Sequence, residues 1–223
     1  MSHQNGTSTT VNGTHRRGHC EVCGKNTDGR CQWCNKSFFC SPACYQLATS
    51  RHRPLCDNLP NNPHPPRPTP RHSLALHFPA NEAVPRWVWV EQIGWTVVPL
   101  NRNLGTLGTA ITANTPGYTF TYGTDYNHLH DLNIPHNIQL ILPRGNQPAT
   151  DPVPWDPEPI LRCRSLTRVA WDSELGRTQF DRDVLAYGQN KELAAQNLLA
   201  LEDLEPADVN LIRSYIRLHW RTP

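Results

Sequence analysis

Seven of the eight cysteines lie between residues 20 and 56, where they form four close pairs with one histidine. Two pairs have two intervening residues and two have three, so each pair can turn both side chains toward one ion. Thiolate sulfur and imidazole nitrogen are donors that zinc prefers. Eight donors suffice for two closed, structural sites, because a catalytic zinc keeps one position open for water. The candidate ligands are Cys20, Cys23, Cys31, Cys34, Cys40, Cys44, His52 and Cys56.

Two other uses of clustered cysteines fit this segment less well. Disulfide bonds would use six of the seven thiols and leave one over, in a chain whose first residues contain no apolar export signal. A redox-active CxxC motif needs a βαβ setting, which the neighbouring residues do not predict. Two structural Zn²⁺ ions are therefore the better interpretation. The spacing alone leaves open whether the pairs are used in sequential or in interleaved order.

The charge around the cysteines favours metal ligation over nucleic-acid binding. Residues 1–56 carry seven Lys/Arg and two Asp/Glu, in a chain with a net charge of +2. Seven thiolates around two Zn²⁺ ions would offset most of this local positive charge. We therefore interpret the basic side chains as a solvated shell, and nucleic-acid binding by this segment as an alternative function.

The order and spacing of the ligands resemble the MYND zinc finger. The stretches Phe39-Cys40-Ser41-Pro42-Ala43-Cys44-Tyr45-Gln46 and Arg51-His52-Arg53-Pro54-Leu55-Cys56 are similar to the second half of that finger. The resemblance covers residues 20–56 and implies a cross-braced pair of zinc ions. It assigns Cys20, Cys23, Cys40 and Cys44 to one ion (zinc 1). It assigns Cys31, Cys34, His52 and Cys56 to the other (zinc 2).

The resemblance also implies a binding function. MYND fingers bind proteins, often through short proline-rich peptides, and many have Gln directly after the sixth ligand and Trp four residues later. This chain has Tyr45 and Thr49 at those positions, so a broad stacking surface for proline is lost there. We predict a partner-binding surface formed by Trp33, Tyr45, Gln46 and Thr49, with Trp33 or Tyr45 supplying the aromatic surface.

Local signals predict a short helix after Cys40. Ser41 can cap such a helix, and Pro42 suits its first turn. Pro54 lacks an N–H group, so we expect the helix to end near His52. The segment contains few apolar residues, so zinc must supply much of its folding free energy.

The remainder of the chain divides into three parts. Residues 1–19 are polar and contain no aromatic residue, which predicts a disordered tail. Residues 57–73 form a proline-rich linker, with six prolines between 58 and 72. Residues 74–223 are predicted to form a second, α+β domain. The whole layout looks like that of small fungal MYND proteins without a SET domain.

Hydrophobic alternation predicts antiparallel strands followed by C-terminal helices in the second domain. The strand candidates are residues 86–91, 94–99, 118–122, 137–142 and 160–171, with a turn at 123–125. The pattern then changes to a helical period. The helix candidates are residues 191–203 and 208–220.

The second domain offers few groups that could carry out catalysis. His128, His130, Asp131 and His136 could form a metal site with Asp125, but a polar loop is the simpler interpretation. Cys163 is predicted to be a buried thiol in a strand, and no hydrolase, metalloprotease or phosphate-loop motif is present. We therefore predict no enzyme activity. The alternative is an enzyme in residues 74–223 with the finger as a recruiting arm.

Composition limits the remaining choices. Only 37% of the residues are apolar, 18% are charged and 21 of 223 are proline, and no apolar run is long enough to span a bilayer. We expect an intracellular protein, nuclear or cytoplasmic, whose oligomeric state the sequence leaves open. We also expect that serine at any ligand position unfolds the finger and leaves residues 74–223 folded.

Overall fold

The computed structural model describes nine segments of the chain. The predicted tail up to residue 17, the linker residues 58–66, and His128, His130 and Asp131 lie outside them. The described segments are residues 18–57, 67–93, 96–99, 111–112, 118–127, 132–143, 163–171, 183–196 and 200–219.

The N-terminal segment is a small hairpin followed by a helix. Strands β1 (Gly18–His19) and β2 (Asn26–Thr27) pair antiparallel, and β1 begins two residues before the predicted finger. Helix α1 (Pro42–Asp57) begins where predicted, with the Cys44 N–H donating to Ser41 Oγ at 3.2 Å.

The C-terminal end of α1 differs from the sequence prediction. The helix continues through Pro54 to Asp57 instead of ending near His52. Pro54 cannot donate a backbone hydrogen bond, but Leu55 and Cys56 in the same turn are buried. Tertiary packing therefore holds the last turn, as it does for most helices in folded proteins.

An antiparallel sheet forms the centre of the molecule, as predicted. Its order is β6-β5-β4-β3-β9-β8-β7, with the short β10 paired to β9. The strands are β3 (His72–Phe78), β4 (Arg86–Ile93), β5 (Thr96–Pro99), β6 (Ile111–Thr112), β7 (Tyr118–Asn127), β8 (Leu132–Pro143), β9 (Val184–Asn190) and β10 (Leu201–Glu202). The predicted turn at 123–125 lies within β7, next to a register shift.

Within the described segments, three further helices accompany the sheet. The prediction of a strand at 160–171 was wrong for residues 164–171, which form helix α2 (Arg164–Trp171), and residues 160–162 lie outside the described segments. Of the predicted helix at 191–203, residues 191–195 form α3 (Lys191–Ala195) and residues 201–202 belong to β10, whereas residues 197–199 lie outside the described segments. The predicted C-terminal helix is confirmed as α4 (Asp208–His219). Within the described residues, no helix has the length and apolar content needed to cross a membrane.

Strand β3 is buried along its whole length, because both faces of the sheet are covered there. Leu76 and Phe78 point to one face and belong to a core that includes residues of α2 and α4. Ala75 points to the other face, where Val88 and Leu185 lie in a second cluster. β3 is therefore the strand on which both cores are built.

The linker ends earlier than predicted, because β3 starts at His72. Arg67 pairs with Asp203, donates to the His72 carbonyl oxygen at 2.9 Å, and lies over the Trp89 ring. These contacts attach the described end of the linker to the sheet. The division of the chain into separate domains stays a prediction.

Candidate metal centre

The first two cysteine pairs are built by the same turn. Gly24 follows Cys23 with φ 71°, and Asn35 follows Cys34 with φ 54°. The N–H groups of Gly24 and Asn35 donate at 2.9 Å to the carbonyl oxygens of the first cysteine in each pair. Glycine and asparagine are the residues that tolerate this left-handed conformation best. The local sequence thus forms two equivalent turns, each presenting two sulfur atoms.

Helix α1 supplies the ligands that join the two halves of the finger. Cys44, His52 and Cys56 are separated by multiples of four residues, which places them on one side of the helix. Cys44 lies with the first pair of cysteines, whereas His52 and Cys56 lie with the second pair. One rigid helix therefore connects both sites.

The ligand side chains converge in two groups, and within each group the donor atoms lie within 4.8 Å of one another. One group is Cys20, Cys23, Cys40 and Cys44, and the other is Cys31, Cys34, His52 and Cys56. This is the interleaved, cross-braced pairing that the resemblance implies. The sequential pairing, which spacing had left open, is excluded by this geometry.

The separations between donors fit tetrahedral zinc. Four sulfur atoms about 2.3 Å from one ion would lie about 3.8 Å apart. The Sγ atom of Cys40 lies 3.4 Å from Cys23 Sγ and 3.6 Å from Cys44 Sγ. Cys31 Sγ lies 3.7 Å from Cys56 Sγ, and Cys34 Sγ lies 3.8 Å from His52 Nε2. All eight cysteines are free thiols, so the geometry supports two zinc sites and no disulfide.

The electrostatics of the first group call for a cation. Burial raises the pKa of Cys20, but backbone hydrogen bonds from Cys40, Cys23 and Val22 lower it to about 6. Hydrogen bonds with Cys23 and Cys44 raise the pKa of Cys40 to about 12. The crowded sulfurs therefore cannot all become thiolates by themselves, and a dication would remove that repulsion.

The second group has the same requirement in a more buried place. Burial raises the pKa of Cys34 and Cys56, and their neighbouring sulfurs raise it further. Burial lowers the pKa of His52 to about 4, so its imidazole is neutral at pH 7, the form that binds zinc. The rings of Phe39 and Tyr45 pack edge-on against His52, with centroids 5.2 and 6.2 Å away, and hold it in place.

A groove of about 490 Å³ lies beside these sites. It is lined by residues 27–33 and 39–42 and by Tyr45. Trp33 lies in its wall and is 80% exposed. Of the four predicted partner-binding residues, Trp33 and Tyr45 line this groove, whereas Gln46 and Thr49 do not.

Sequence reasoning did not single out the polar groove residues Asp28, Arg30 and Gln32. Asp28 and Arg30 lie between the two cysteine turns and Gln32 lies within the second, and no local sequence pattern marks them as groove residues. Thr49 instead donates from Oγ1 to the Tyr45 carbonyl oxygen at 2.8 Å. It therefore supports the helix backbone behind the groove.

Two of the candidate residues outside the finger, His136 and Cys163, occupy structural positions. His136 Nε2 lies 3.2 Å from Asp208 Oδ1, and its Nδ1 lies 3.7 Å from Glu202 Oε2, so it joins β8 to α4 and β10. Cys163 is buried as predicted, but it precedes α2 and is not in a strand. Its Sγ donates to the Phe78 carbonyl oxygen at 3.3 Å. Burial raises its pKa to about 12, which keeps it an unreactive thiol.

Comparison with known proteins agrees with the geometry. A family model described as the MYND finger matches residues 20–56, the span from the first to the last ligand. Neither the curated proteins nor the solved structures gave a match to this chain. The cross-braced ligand groups and the family match lead to one conclusion. Residues 20–56 of this protein are a MYND zinc finger.

Proposed function

We propose that this protein is an interaction module whose finger binds a proline-rich segment of a partner protein. The observation that carries the proposal is Trp33, a large apolar side chain left 80% exposed in the wall of a groove. MYND fingers are binding modules and not enzymes, so a partner site is the expected use of such a surface.

The groove has the chemistry to hold proline. Trp33 and Tyr45 supply aromatic faces, and Phe39 packs edge-on against Tyr45 with ring centroids 5.2 Å apart. Pro-rich segments are already extended, so they lose little entropy when they dock in an aromatic-lined groove. In this chain the tryptophan lies on the second cysteine turn, whereas many family members have it on the helix, at the position of Thr49. The aromatic surface of this groove is therefore carried by a cysteine turn and not by position 49 of the helix.

Both zinc ions contribute to the groove without acting as catalysts. Cys31 of the second group and Cys40 of the first group are among its lining residues. Each metal therefore fixes one part of the wall, and each site is closed by four protein ligands. Asp28, Arg30 and Gln32 supply polar groups that would orient the bound segment.

We also propose an intracellular location, nuclear or cytoplasmic, because seven ligand thiols must stay reduced to hold zinc. The alternatives, an enzyme in residues 74–223 or nucleic-acid binding through the basic N-terminal segment, gain no specific support from the described residues. Both therefore stay predictions.

The test uses an array of synthetic proline-rich peptides that includes residues 58–72 of this chain, with a proline-to-alanine copy of each. We expect the zinc-loaded protein to bind some of the peptides and none of the copies. Trp33→Ala should abolish binding. Leu47→Ala should leave it unchanged, because Leu47 is 67% exposed on α1 and does not line the groove. Failure of every peptide to bind, or equal binding by both variants, would refute the proposal.

A further inference from the structure

We propose that zinc 2 stabilises the β-sheet as well as the finger, whereas zinc 1 stabilises the finger and not the sheet. From the sequence we expected both ions to stabilise only the finger and to leave residues 74–223 independent of zinc. The structure gives them different neighbours, and these neighbours determine which part of the molecule depends on each metal.

The zinc 2 ligands lie in an apolar cluster shared with the sheet. Cys31, Cys34 and Cys56 form one buried cluster with Leu74 of β3, and Trp89 of β4 packs against it. The four ligand side chains are at most 9% exposed. The second metal group is thus part of the contact surface between finger and sheet.

Leu55 extends this contact into the main core. It lies directly before the ligand Cys56, is 1% exposed, and belongs to the same cluster as Leu76 and Phe78. Its carbonyl oxygen accepts a hydrogen bond from Trp87 Nε1 at 3.0 Å. Since His52 and Cys56 flank Leu55 in the last turns of α1, the position of Leu55 depends on the coordination of zinc 2.

The finger also contacts the region that begins α4. His52 and Leu55 of α1 line one small crevice together with Pro206 and Val209, so the finger lies beside the start of α4. Lys36, two residues after Cys34, forms an ion pair with Glu205 at 2.9 Å. Zinc 2 is therefore surrounded by contacts to β3, β4 and the start of α4.

Among the described residues, the zinc 1 ligands lie outside the apolar clusters shared with the sheet, and the contact beside them is polar, where Glu21, next to Cys20, accepts a hydrogen bond from Asn210 of α4. Cys23 is exposed, Cys40 and Cys44 are half-buried, and only Cys20 is buried. None of the four belongs to an apolar cluster that reaches the sheet. Loss of zinc 1 would therefore uncover little of the sheet.

The energetic consequence follows from the coupling of metal binding to folding. The metal site does not exist in the unfolded chain. The free energy of zinc binding therefore adds to the folding free energy of the residues that pack against the site. Without zinc 2, the crowded sulfurs and His52 would lose the ion that holds them together. The turns that carry them would separate, and the side chains of Leu74, Trp89 and Leu55 would become more exposed to water.

The test is hydrogen exchange, measured by mass spectrometry, on the full chain carrying Cys34→Ser or Cys23→Ser in the presence of zinc. For Cys34→Ser we expect amide exchange at least about tenfold faster in β3 and β4 as well as in the finger. For Cys23→Ser we expect faster exchange in the finger hairpin and wild-type exchange in both strands. Wild-type protection of β3 and β4 in Cys34→Ser would overturn the proposal, and so would equal loss in both variants.

A second variant separates the loss of metal from damage caused by the substitution. His52→Cys keeps a zinc donor at the same position of α1. We expect it to bind two zinc ions, measured by elemental analysis, and to keep β3 and β4 at least about tenfold better protected than Cys34→Ser does. Loss of that protection while two zinc ions stay bound would overturn the proposal.

Discussion

The two zinc sites of this finger are built alike but have different surroundings. Each begins with the same cysteine turn, closed by Gly24 in one case and Asn35 in the other. Zinc 1 has the exposed ligand Cys23, whereas the ligands of zinc 2 are buried against the sheet. Ligand spacing therefore specifies how each metal is coordinated, and tertiary packing specifies what each metal stabilises.

The largest effect is expected from Leu55→Ala. Truncating a fully buried leucine costs about 2–5 kcal/mol, because apolar contacts are lost and a cavity remains. The matched control is Leu47→Ala on the exposed side of the same helix, which should change stability by less than about 0.5 kcal/mol. Urea denaturation of both variants measures the difference. Equal effects would mean that the finger is not packed on the sheet.

Trp87→Phe should cost less, about 1–3 kcal/mol, because it removes the donor to the Leu55 carbonyl oxygen and leaves that buried group without this partner. Urea denaturation again gives the free energy of unfolding. Trp33→Phe is the control, since Trp33 is exposed and its loss should leave stability unchanged. A stable Trp87→Phe protein would show that this hydrogen bond does not hold α1 to β4.

A change of pH should affect the stability of the sheet around His136 and that of the zinc finger in opposite directions. Burial opposes a charge on His136, but Asp208, Glu202 and Glu205 outweigh it and raise its pKa. A raised pKa gives stability that is complete below the unfolded value, about 6.5, and that is lost as pH rises through the folded value. Zinc binding by thiolates instead strengthens as pH rises, because fewer protons must be displaced.

This pH effect can be measured with His136→Gln at saturating zinc. The difference in unfolding free energy between wild type and His136→Gln should be largest below about pH 6.5, the unfolded pKa, and should shrink as pH rises above it. A difference that stays constant across this range would contradict a charged His136 in the folded protein.

The smallest effect is expected from Lys36→Met, which removes the ion pair with Glu205. Both side chains are 46% exposed, so solvent screens the pair and its loss should cost no more than about 1 kcal/mol. Thermal melts at low and high salt would measure this cost, which should vanish as salt increases. A larger, salt-independent loss would show that the polar contact, and not the apolar cluster, holds the finger in place.

The features predicted correctly from sequence are those encoded over a few residues. The ligand spacing, the Ser41 cap and the period of residues 208–219 each depend on neighbours within about four positions. The interleaved pairing came from the family resemblance, because spacing alone permits two arrangements. The groove residues Trp33 and Tyr45 were named for their aromatic character, and their partner-binding role is still a prediction.

The features that were missed depend on residues far apart in the chain. By composition, residues 160–171 could form either a strand or a helix. In the helix at 164–171, Leu166 and Val169 pack in the main core. Pro54 signals the end of a helix, but burial of Leu55 and Cys56 outweighs it. No local pattern shows that Leu55 would lie against Trp87, and that contact joins the finger to the sheet.

The dependence of the sheet on zinc 2 is tested most directly by a chelator titration of the wild-type protein. Zinc release and sheet protection are followed in the same samples. Zinc release is read with a metal-sensitive dye, and the protection of β3 and β4 by hydrogen exchange. We predict that one zinc leaves first while both strands keep their protection, and that the second leaves together with the loss of that protection. Release of both zinc ions from a protein whose sheet stays fully protected would contradict the account.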